Sequence, residues 1–86
     1  MASAEKLFER AKRTKAGWRL RELRRLYEGF GFDVEEGAKH IMFIHPKYPQ
    51  LTATVTRKRT LAVGYIGKAV ELITALKGVG GRAEVK

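Results

Sequence analysis

Apolar residues return at the helical period from Leu20 onward: Leu20, Leu23, Leu26, Tyr27 and Phe30 form one stripe. This spacing predicts a helix over 18–30, closed by Gly29 and Gly31. Arg21, Arg24, Arg25 and Glu28 fall on its reverse face. A shorter pattern precedes it. Ala4, Leu7, Phe8 and Ala11 share a face behind a candidate cap at Ser3, and Thr14 to Gly17 breaks the period. A helix of that length is unstable alone and must dock on the rest of the chain. Ile66, Ala69, Val70, Ile73 and Leu76 predict a last helix over 65–77, with Gly78 as its stop and Gly80-Gly81 opening a mobile tail over 80–86.

Between the helices the period changes to two. Residues 31–37 predict a short edge strand and a turn, and carry the acids Asp33, Glu35 and Glu36. Residues 38–45 predict a strand with Ile41, Phe43 and His45 on one face and His40, Met42 and Ile44 on the other. Pro46 and Pro49 bracket a turn, and residues 51–56 predict the antiparallel mate, with Leu51, Ala53 and Val55 inward and Thr52, Thr54 and Thr56 outward. The fold class that follows is α+β: a small two-layer domain in which helices cover one face of a three-stranded antiparallel sheet. Leu23, Leu26, Phe43, Val55 and Ile73 are its expected core.

Charge then narrows the function. The chain has 86 residues and a formal net charge of +9, enough chain for one domain. Such an excess of cations implies an anionic partner, and nucleic acid fits it best. A membrane fits it least: no apolar run approaches a span, and the first ten residues lack an apolar core for a signal peptide. The expected location is the cytoplasm. There is no cysteine, and the two histidines have no metal-ligand spacing, so neither a metal nor another cofactor is expected. Arg21, Arg24 and Arg25 on one helix, Lys39 on a strand, and the run Arg57-Lys58-Arg59 are the candidate phosphate contacts. The bland alternative for each is a solvated surface.

His40 is the candidate for chemistry, because an imidazole titrates near neutral pH and here follows a cation, Lys39. Taken alone, it reads more simply as a half-exposed strand histidine. His45, on the opposite face before Pro46, reads as a residue that packs a turn.

A resemblance changes that balance for His40. The order of a helix ending in Gly29-Phe30-Gly31-Phe32, then Gly37, then His40-Ile41-Met42-Phe43 and His45-Pro46, a hairpin, and Leu61-x-x-Gly64-Tyr65-Ile66-x-Lys68 entering a helix resembles the HicA-type toxins of toxin–antitoxin pairs. The likeness covers about residues 18–77. It implies a double-stranded-RNA-binding-like α-β-β-β-α domain over 18–79, preceded by a helical extension over 1–17. It implies an endoribonuclease that cuts messenger RNA without a metal, with His40 as the catalytic residue. It also implies a HicB-type antitoxin partner, for which Met42 and Ile44, on the face of His40, would be the apolar contact. Where the family reads Gly-Ser before its histidine, this chain reads Ala38-Lys39. Lys39 would then stand as a phosphate contact. Two other functions stay open: a non-catalytic RNA-binding module of the same fold, and a protein-interaction domain.

Overall fold

The computed structural model describes residues 4–57 and 60–85, from 79 onward as backbone only. Among these residues, three helices and three strands follow in the order α1 (Ala4–Arg13), α2 (Leu20–Gly29), β1 (Asp33–Glu36), β2 (His40–Ile44), β3 (Thr52–Thr56) and α3 (Val63–Val85). The strands make one antiparallel sheet in the order β1-β2-β3. Ile41 lies opposite Val55, and Phe43 lies between Val34 and Ala53. Residues directly opposite share a face, so these side chains form the inner face of the sheet. They join Leu23, Leu26, Ile66 and Ile73 in one core. The expected core residues are all buried.

The exit from α2 shows why β1 follows so closely. Phe30 is the cap, Gly31 takes φ +91°, and the Gly31 and Phe32 N–H groups donate to Glu28 O and Tyr27 O. This is the left-handed glycine closure of a helix, which a side chain at position 31 would strain. Phe32 then turns inward against Tyr27, and Tyr27 stacks on Phe43 with centroids 4.3 Å apart. One aromatic column therefore ties helix to central strand.

Three expectations need correction. The second helix starts at Leu20 rather than at residue 18. Trp18 lies before it, fully buried, with its indole N–H donating to Thr14 O and its carbonyl accepting from Leu61 N–H. Trp18 thus serves as a pin, its indole held to the α1–α2 turn and its carbonyl to the entry to α3, and this overrides the helical spacing at that position. The last helix starts at Val63 and continues through Gly78 to Val85. Glycine costs about 1 kcal/mol in a helix but places no steric bar to it, so Gly78 is no stop here. The first two strands are also one or two residues shorter at each end than their periodicity suggests, because the last pairings give way to turns, while the third starts one residue later and ends at Thr56 as expected. The cap expected at Ser3 lies outside the described residues.

The first helix docks on α2 and α3, as its length requires. Leu7, Phe8 and Ala11 are buried, and Phe8 meets Phe30 edge to face. Gly29 faces Ala4 so closely that a Cβ there would collide with it. Arg10 lies over the Trp18 ring at 4.6 Å and donates to Glu22 at 2.9 Å. Among the described residues, no helix is long and apolar enough to cross a membrane.

Candidate functional site

The helices cover one face of the sheet and leave the other open. By register, that open face carries His40 opposite Thr56, Met42 between Glu35 and Thr54, and Ile44 between Asp33 and Thr52. None of these is buried: Met42 and Ile44 are half-covered, and His40 is exposed. The alternation expected from the sequence therefore holds on both sides. Glu35, Glu36, Gly37, His40 and Met42 line a shallow pocket of about 220 Å³ at the β1–β2 end.

Backbone hydrogen bonds gather charged residues at this same end. Gly37 N–H donates to His40 O at 2.8 Å and closes the β1–β2 turn. Arg57 N–H donates to Lys39 O at 3.1 Å, so the residue after β3 lies beside the residue before β2. Arg57 then reaches across the turn. Its Nε donates to Gly37 O at 3.0 Å and its Nη2 to Glu36 Oε1 at 2.7 Å. From the helix layer, Arg24 Nη1 donates to Glu36 Oε2 at 3.0 Å, and its Nε donates to Glu28 at 3.3 Å. One carboxylate thus bridges two guanidiniums from elements far apart in sequence.

The electrostatics follow from these contacts. The Arg57 hydrogen bond, and then that of Arg24, hold the Glu36 carboxyl below the ordinary carboxylate range. Glu28 first and Glu36 second raise the Arg24 guanidinium above its usual value. The end of the sheet that carries His40 is therefore a mixed site, with cations and carboxylates interleaved.

The predicted site residues fall into three groups. Lys39, His40, Arg57 and Arg24 come together at the β1–β2 end. Arg21 and Arg25 are exposed on the outer face of α2 and make none of these contacts. Lys58 and Arg59 lie outside the described residues. Sequence reasoning missed Glu36: its acidity was plain, but only the fold brings it against Arg24 and Arg57.

His45 belongs to a different environment. It is buried, its ring meets Phe32 edge-on at 5.1 Å and lies 5.2 Å from Tyr48, and its Nδ1 accepts the Lys47 N–H at 3.1 Å. This is the turn-packing role expected for it. Among the described residues, no three His, Cys, Asp or Glu side chains converge to hold a metal ion. Comparison of the chain with known protein families, with curated proteins and with solved structures finds no match.

Proposed function

We propose that the protein is a metal-independent endoribonuclease acting on messenger RNA, the toxin of a HicA-like toxin–antitoxin pair, with His40 as general acid–base. The observation that carries this reading is an exposed imidazole on an uncovered sheet face, at a pocket with Arg24 and Arg57 bound at its rim to the lining residues Glu36 and Gly37, and with Lys39 preceding His40 in the chain. The order α2-β1-β2-β3-α3 supports it further, being the order of the double-stranded-RNA-binding-like fold that the resemblance implies.

RNA carries its own nucleophile beside each phosphate. His40 takes the proton of the 2′-OH as that oxygen bonds to phosphorus. The P–O5′ bond breaks, and the leaving 5′ oxygen takes a proton from the imidazolium or from solvent. Lys39 and an arginine of the rim offset the charge that grows on the phosphoryl oxygens. The antitoxin in this scheme is an acidic protein that covers His40, with Met42 and Ile44 at the apolar centre of the contact. Hydrogen exchange of the complex should then protect residues 38–45.

The test is product chemistry. Incubated with a long RNA in EDTA, the protein should release fragments ending in a 2′,3′-cyclic phosphate or a 3′-phosphate, and should leave DNA of the same sequence intact. Fragments ending in a 3′-hydroxyl, or no fragments, would end the proposal. A second reading, a non-catalytic RNA-binding module, draws on one observation: Glu35 and Glu36 line the same pocket as His40 and repel a phosphate there. Salt-dependent RNA binding without cleavage would favour it.

A further inference from the structure

The bridge at Glu36 carries an inference of its own, which takes its ligand from the RNA-directed reading above. We infer that Arg24 and Arg57 form a clamp for one backbone phosphodiester, and that the Glu36 carboxylate is the clamp's built-in occupant, displaced when RNA binds. A carboxylate and a phosphodiester each present a single negative charge over two oxygens that accept from guanidinium N–H groups. Glu36 uses one oxygen for each arginine, at 2.7 Å to Arg57 and 3.0 Å to Arg24.

Each arginine has a second partner besides Glu36. Arg57 is also held by Gly37 O through its Nε, and Arg24 by Glu28 through its Nε. When Glu36 leaves, both guanidiniums keep an anchor and both freed Nη groups face a common point. The occupant is also simple to displace. Glu36 is exposed at the edge of the sheet, and ion pairs in such positions are individually weak. The clamp lies next to the chemistry, because Gly37, which holds Arg57, lines the pocket with His40. By register Glu36 pairs with Ile41 on the helix side of the sheet, so a phosphate seated there borders the pocket from the edge opposite the face of the imidazole. Glu36 therefore acts against binding: it keeps the clamp closed to weak anions and yields to a polyanion held at further points.

The neighbouring Glu35 provides the control. It lines the same pocket, and its removal changes the net charge equally, but it makes no ion pair among the described residues. Binding of a 2′-O-methylated oligouridine, which cannot be cleaved through a 2′-OH, is followed by fluorescence anisotropy across a salt series. Glu36→Gln should bind about five- to tenfold more tightly than wild type, with a salt slope steeper by about one counterion. Glu35→Gln should gain less than about twofold. Adding Arg57→Ala to Glu36→Gln should cancel the gain.

A second measurement needs no substitution. In the intact protein the same oligonucleotide should shift the Glu36 carboxyl carbon resonance and the Arg24 and Arg57 Nε–H resonances together. If Glu36→Gln binds no more tightly than Glu35→Gln, or binds more weakly than wild type, or if Glu36 shows no shift, Glu36 is not the clamp's occupant. Wild type that binds well while any of these holds overturns this inference alone. Wild type that fails to bind at all overturns the RNA-directed reading with it.

Discussion

The two ends of β2 carry the same residue type to opposite purposes. At one end His45 is enclosed by Phe32 and Tyr48, with Nδ1 committed to a backbone N–H. At the other, His40 stands exposed on the uncovered face, beside Lys39, Arg57 and two carboxylates. The alternation of the strand puts the rings on opposite faces, and what packs on each face does the rest. The helices turn one imidazole into part of the core. Their absence from the other side leaves the second imidazole in contact with water and with any ligand. A histidine in a strand is thus read from its face, and a two-histidine mechanism has no geometry here.

The largest predicted effect probes the face on which His45 lies. Phe43→Ala removes a fully buried ring stacked on Tyr27 and should cost about 3–5 kcal/mol of unfolding free energy. Met42→Ala, one residue away on the open face, should cost less than about half of that. Equal losses by urea denaturation would mean that both faces are packed alike, and the contrast would dissolve. His45→Ala comes next, at about 1–3 kcal/mol, from lost ring packing and an orphaned Lys47 N–H. His40→Ala should leave the same denaturation curve within about 0.5 kcal/mol of wild type.

Tyr27→Phe sharpens the account of the core. The Tyr27 hydroxyl is buried with no hydrogen-bond partner among the described residues, and burial pushes its pKa up. Removing it should leave stability unchanged or raise it by up to about 1 kcal/mol. A loss larger than that would reveal a partner for the hydroxyl.

The smallest effect is on acid stability, at the charged end and at α2. Glu36 is held below its ordinary value by Arg57 and Arg24, and Glu22 by the Arg19 N–H and then Arg10. Carboxyls lowered in the folded state stabilise fully above their unfolded value, 4.5, and lose that contribution as pH falls through the folded one. The melting temperature should be level above about pH 5 and fall below it, and Glu36→Gln should soften the fall. Both pairs meet solvent, so the change is modest. An equal fall in the variant would show that Glu36 contributes nothing to it.

Much of this was legible from residue order. The period of two placed His40, Met42 and Ile44 on one face and His45 on the other, because a sheet with one covered face enforces alternation. The stripe of Leu23, Leu26 and Tyr27 identified the buried side of α2 in the same way. What the periodicity missed depends on contacts between distant segments. Trp18 looked like the start of a helix, yet its place is set by Thr14 and Leu61. Glu36 looked like one of several acids in a turn, yet Arg24 and Arg57 converge on it from a helix and from the end of a strand. Local pattern specifies which side of an element is buried. It does not specify which charged residues meet across the surface.

The most direct measurement follows from the two histidines themselves. Wild type, His40→Ala and His45→Ala are incubated with one long RNA in EDTA, at a temperature where all three are folded, and initial cleavage rates are compared. His40→Ala should lose at least about a hundredfold in rate, the usual scale for a general acid–base, while His45→Ala stays within about threefold of wild type. Cleavage by His40→Ala at the wild-type rate, or a matching loss in a folded His45→Ala, would contradict the account.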